Sequence, residues 1–287
     1  MARSEIVRAL LVASALSGCT VISGVGDYKV VESTNATDGG GADGGDPQAD
    51  ARAMKNVRDL NYTFTGMVPH AAIPLDIAIV DEGELLQARA RIILPPVSDK
   101  YPAEEVVMHN ALTPGKQKLY FFADNDGDGS VDGSAKQILE HIWIEPVTPN
   151  GIGVFAHNTN FIYFKDDAYT SLNGALVLEM PMPTGVPLVD LMECLEKSLG
   201  KRLDIKLTLI EADRQVGLFR RYRDTPPPGK VIELKGLLDG GSQYRIEVLV
   251  DGEVKKSLKK QAPATGDLVV KAGEWFPARV TGPLDCR

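Results

Sequence analysis

From Asn61 onward the chain is a series of short apolar runs broken by Gly, Pro, Asn and Asp. Several runs alternate with period two: Leu75-Asp-Ile77-Ala-Ile79, Lys118-Leu-Tyr120-Phe-Phe122 and Tyr244-Arg-Ile246-Glu-Val248-Leu-Val250. Strict alternation places apolar side chains on one face of an extended backbone, so these runs predict half-buried β-strands. One stretch departs from the pattern. Leu188, Leu191, Cys194 or Leu195, and Leu199 recur at helical spacing, with Gly200 where a residue just past a helix end belongs.

The strand pattern occurs twice. Leu75–Ile79 returns as Leu203-Asp-Ile205-Lys-Leu207, an offset of 128 residues. Leu119–Asp124 matches Ile246–Asp251 at an offset of 127, and Gly151–Phe161 matches Gly266–Phe276 at an offset of 115. Three weak matches in the same order predict a duplicated unit. The expectation is an all-β protein of two tandem antiparallel β-sandwiches, residues 61–167 and 168–287, with one short helix inserted in the second. In architecture each unit resembles the immunoglobulin-like or transthyretin-like sandwiches of surface proteins.

Composition agrees with a turn-rich β protein: 44% hydrophobic and only 6% aromatic residues, with 28 Gly and 18 Pro among 287 residues. The net charge of −8 argues against a nucleic-acid partner, which would need a basic face. The charge is unevenly spread. Residues 61–167 hold 7 basic and 15 acidic side chains, and residues 168–287 hold 18 and 16. In the second unit Arg220, Arg221 and Arg223 surround Tyr222, and Lys255, Lys256, Lys259 and Lys260 follow a hairpin signal. The clusters are expected either to meet anionic head groups or polysaccharide, or to be solvated strand edges.

Residues 1–18 read as a secretory signal: Arg3 and Arg8 precede the apolar run from Ala9 to Ala15. That run is too short to cross a bilayer. Leu16-Ser17-Gly18-Cys19 follows and resembles the lipobox of bacterial lipoproteins. The resemblance implies cleavage before Cys19, acylation of that thiol, and stable anchoring through several chains. Thr20 follows the Cys, with no Asp there to signal inner-membrane retention, so the resemblance points to the outer membrane. Residues 19–60 then form a tether. Between Ser33 and Asp50 they hold five Gly and four Asp with no large apolar residue, a composition that cannot offset chain entropy by burial. With Cys19 lipidated, Cys194 and Cys286 remain. Outside the cytoplasm they are expected to bridge, at about 4 kcal/mol of stabilisation, unless they are two buried thiols that never meet.

The sharpest chemical signal is Asp124-Asn-Asp126-Gly-Asp128-Gly-Ser130-Val-Asp132. Alternate carboxylates around a Gly-permitted bend gather oxygen ligands for a hard cation, with the Ser130 carbonyl as a further donor. Four carboxylates this close repel unless a cation neutralises them. Position 12 is Ala135 rather than Glu, so the loop is not an EF-hand. Asp-x-Asp-x-Asp-Gly-x-x-Asp instead resembles the calcium loops of integrin α-subunit propellers. That resemblance implies that Asp124, Asp126, Asp128 and Asp132 bind structural Ca²⁺ through side chains.

All four histidines, His70, His109, His141 and His157, fall in the first unit. His70, His141 and His157 are candidates for a second, transition-metal site, although no pair has a recognised ligand spacing. Gly-x-Ser-x-Gly, His-Glu-x-x-His and the phosphate-binding loop of nucleotide hydrolases are absent. The expected function is a non-catalytic, calcium-binding module, lipid-anchored to the outer membrane, with a cell-envelope protein or polysaccharide as ligand. The alternative is an exported enzyme or metal-handling protein that uses the histidines.

Overall fold

A computed structural model describes residues 57–95, 103–125, 141–163, 170–172, 174–180, 200–223, 225 and 231–276. Cys19, residues 20–56 of the expected tether, the predicted helix around 188–199, Cys194, Cys286 and residues 126–132 of the acidic loop lie outside them. The last tether residues do not, because Arg58–Leu60 already pair in the first strand, so the first unit starts before the expected Asn61. All described residues belong to one compact unit.

The first repeat contributes β1 (Arg58–Thr65), β2 (Pro74–Asp81), β3 (Leu86–Ile93), β4 (Ala103–Leu112), β5 (Gln117–Ala123), β6 (His141–Pro146) and β7 (Ile152–Ala156). After the two-residue β8 (Ile162–Tyr163), the second contributes β9 (Gly174–Glu179), β10 (Arg202–Leu209), β11 (Arg214–Tyr222) and β12 (Val231–Leu238). It ends with β13 (Gln243–Val250), β14 (Glu253–Gln261), β15 (Leu268–Val270) and a one-turn helix α1 (Ala272–Trp275). The chain is all-β, as its alternation predicts.

The duplication holds strand for strand. β4-β1-β7 is one three-stranded sheet and β12-β9-β15 its counterpart. In both, the first strand pairs antiparallel with the fourth and parallel with the seventh. Register repeats as well: Ile77 faces Phe121, and Ile205 faces Val248, at the offsets of 128 and 127 residues read from the sequence. The Asp124 amide donates to the Pro74 carbonyl at 2.8 Å, and the Asp251 amide to that of Arg202 at the same distance. Gly151 and Gly266, which open the third match, both sit at positive φ, +72° and +84°. The hairpin between β13 and β14 turns on Asp251 and Gly252, both at positive φ, as a tight Asp-Gly turn requires.

The two sandwiches are fused. β3 pairs with β11 in parallel, joining four strands of the second repeat to four of the first plus the short β8 in one sheet of nine, β14-β13-β10-β11-β3-β2-β5-β6-β8. Around that seam each repeat also packs against its neighbour. Leu218 of β11 belongs to the first core, with Leu60, Phe64, Ile77 and Trp143. Ala78, Val80 and Leu86 of the first repeat belong to the second core, with Ile205, Leu207 and Trp275. β2 is consequently buried on both faces, although its sequence alternates. Each large apolar side chain buried this way contributes on the order of 1.5–3 kcal/mol.

Candidate functional site

The seam buries charge. Asp76 lies opposite Arg91 across β2 and β3, and Asp204 opposite Arg220 across β10 and β11, so the repeats share a cross-strand acid–base pair. Arg220 Nε is 2.8 Å from Asp204 Oδ1, and Nη1 is 2.9 Å from Glu104 Oε1 on β4 of the other repeat. Tyr222 Oη donates to Glu104 Oε2 at 2.7 Å. Burial pushes the Glu104 carboxyl up, and Arg220 pulls it partly back. Burial also raises the Tyr222 hydroxyl, reinforced by the Glu104 charge. These contacts correct one expectation. Arg220 and Arg221 are not a surface patch: Arg221 is 2% exposed, because β11 is an interior strand whose guanidinium groups are taken up by neighbouring polar groups. The lysines of β14 lie instead on an outer strand of the nine-stranded sheet, and its residues Glu253–Ser257 are all exposed.

Beside this network lies an open groove of about 470 Å³. One wall is β4, with Glu105, Val107 and His109; the floor is β10 and β11, with Lys206, Gln215 and Tyr222. The His109 amide donates to Gln215 Oε1 at 3.2 Å, which ties wall to floor. The repeats diverge here. At the 128-residue offset, Ala78 and Val80 of β2 correspond to Lys206 and Thr208 of β10. Ala78 and Val80 are covered by the second core, whereas Lys206 lines the groove.

Of the acidic loop, Asp124 is described. It is 1% exposed, and its Oδ2 accepts from Arg91 Nη2 at 2.6 Å. Arg91 also bonds Asp76, so the first ligand position of the expected calcium loop is tied to the buried pair of its own repeat. Sequence reasoning missed these arginine partners, although the Leu-Asp-Ile repeat marked Asp76 and Asp204.

Three histidines converge. His70 ends a 3₁₀ turn (Val68–His70), His141 starts β6, and His157 follows β7. The fold gathers them around Trp143, with ring centroids 5.7, 6.1 and 5.5 Å from the indole. His70 Nε2 and His157 Nε2 are 3.2 Å apart, and the His70 and His141 rings meet edge-on at 5.9 Å. His141 stacks on Phe161 at 3.7 Å. Burial, then the neighbouring His157 and His141, push the His70 imidazole down to about 4. His157 is lowered by burial and by His141. His109 stands apart, with Nδ1 3.0 Å from Asp59 Oδ1. Among the described residues no group of three or more His, Cys, Asp or Glu side chains stands ready, as placed, to hold a metal ion. Among them, too, no helix is long and apolar enough to cross a membrane.

No family profile matches the sequence, and no curated protein matches it. Solved structures that align with it at low similarity include two from Bacteroides. One is a Bacteroides ovatus protein provisionally assigned as an adhesin, 12% identical, covering 76% of this chain and 90% of that one with a TM-score of 0.21. The other comes from Bacteroides thetaiotaomicron and is provisionally assigned as polysaccharide-binding; it is 9% identical and covers 76% of this chain and 93% of that one, with a TM-score of 0.22. At these scores neither carries an argument about site or ligand.

Proposed function

We propose that the protein is a non-catalytic binding module of the bacterial cell envelope, anchored by lipid on Cys19, that holds a polysaccharide segment in the groove between β4 and the β10–β11 floor. The observation that carries this reading is the divergence of the repeats. A duplicated fold has two equivalent faces beside its seam; one carries Ala78 and Val80 under the second core, and the other carries Lys206 in an open groove. The volume falls within the range of small-ligand sites. Glu105, His109 and Lys206 offer donors and acceptors suited to a hydroxyl-rich chain over a floor that includes the buried Gln215, and Tyr222 adds an aromatic surface. Ca²⁺ on Asp124, Asp126, Asp128, Asp132 and the Ser130 carbonyl has a structural role in this reading: it orders the loop that follows β5.

The test is a polysaccharide array probed with the full chain and with the Glu105→Ala/Lys206→Ala variant. The expected result is retention of an envelope polysaccharide, weakened roughly tenfold in the variant. An array without a ligand, a ligand bound equally by the variant, or selective binding of an envelope protein instead would overturn the reading.

A further inference from the structure

We infer that His70 and His157 chelate a divalent transition-metal ion of the zinc–copper type, with His141 as the third ligand. This site is separate from the groove and does not depend on the polysaccharide reading. The two Nε2 atoms stand 3.2 Å apart. Two imidazole nitrogens, each about 2.05 Å from a tetrahedral ion, stand about 3.3 Å apart. The pair is therefore set at a chelating separation without backbone movement. His141 supplies the next imidazole, its ring lying edge-on to His70. As placed, His141 is stacked on Phe161 and no three-ligand geometry stands ready, so in this inference the His141 ring turns off Phe161 when the ion binds.

The surroundings suit such an ion. His70 is 5% exposed, whereas His141 and His157 are partly exposed, so an ion can enter from solvent and bind against a packed wall. Trp143 and Phe161 hold that wall. Trp143 Nε1 donates to the Asn158 carbonyl at 3.2 Å, which positions the segment carrying His157. The donor set is all imidazole, which selects zinc, copper or nickel over calcium and magnesium. The alternative role for the pair is a shared N–H···N hydrogen bond that merely packs against Trp143.

Calorimetric titration of the full chain with Zn²⁺ in excess Ca²⁺, after thiol alkylation, distinguishes the two. The expected result is one Zn²⁺ per chain, abolished in His157→Gln and weakened roughly tenfold or more in His141→Gln. Cu²⁺ should quench Trp143 fluorescence in the parent chain and not in His157→Gln. Circular dichroism checks that each variant is folded; should His157→Gln fail to fold, the His141→Gln affinity and the quenching of the parent chain decide. No zinc uptake by the alkylated chain would overturn the inference, as would uptake that neither substitution changes.

Discussion

Arg220→Met would test the fusion of the two repeats at its most charged point. Arg220 holds Asp204 through two hydrogen bonds, Glu104 through one, and the Glu105 carbonyl at 2.6 Å. Removing one partner from a buried ion pair costs about 3–5 kcal/mol, because it leaves a charge without compensation. Two partners survive: Arg202 Nε lies 3.3 Å from Asp204, and Tyr222 still donates to Glu104. They place the expected loss near the lower bound, about 3 kcal/mol. In a unit of this size that lowers the melting temperature by roughly 10 °C. Urea denaturation of parent and variant measures the loss directly. The sign of its pH dependence follows from Glu104. Burial already raises that carboxyl, and removing Arg220 raises it further, so below its folded pKa it becomes neutral and the penalty shrinks. Adding Glu104→Gln to Arg220→Met should recover part of the loss at neutral pH. A loss below about 1 kcal/mol, or a double-mutant cycle without coupling, would refute the claim that this network joins the repeats.

Other expectations follow from the same structure. Gly151→Ala should cost about 3 kcal/mol, because a Cβ there meets the Asp59 carbonyl at 2.1 Å in addition to its positive φ; Gly266→Ala, with nothing within 4 Å, should cost about 1. Equal losses in thermal melts would contradict this. Asp126→Ala should remove a calcium-dependent rise in melting temperature, and a rise that persists in the variant would exclude the loop as the calcium site. In the metal-free chain, His70 has a folded pKa of about 4, below the ordinary value near 6.5. The unfolded chain therefore binds the extra proton first. Stability present above about pH 6.5 should be lost as pH falls towards 4, by about 2 kcal/mol after allowance for screening at the exposed edge. His70→Gln should lack that component, and equal pH slopes in the two chains would contradict it.

Much of this fold is legible in the sequence, because local pattern and tertiary register carry the same information. Leu75–Ile79 and Leu203–Leu207 match as strings, and their strands pair with neighbours at the same offsets. Asp251-Gly252 spells its own hairpin. The seam between β3 and β11 is not legible in that way. Nothing in Arg89–Ile93 announces a parallel partner at Gly217–Arg221, since the pairing of two edges is decided by complementary faces far apart in the chain. For the same reason Arg220 and Arg221 read as a basic surface cluster until Asp204 and Glu104 stand beside them. His70, His141 and His157 have no ligand spacing along the chain. A turn, a strand start and a strand end bring them together, and only the fold makes that junction.

Whether the groove beside the seam binds a polysaccharide is decided by hydrogen exchange of the full chain with and without the polysaccharide it retains. A bound chain should slow exchange in Ala103–Leu112 and Arg202–Leu209, the wall and floor of the groove, and leave the equivalent strand Pro74–Asp81 unchanged. Protection confined to other strands, or no protection at saturating polysaccharide, would contradict it.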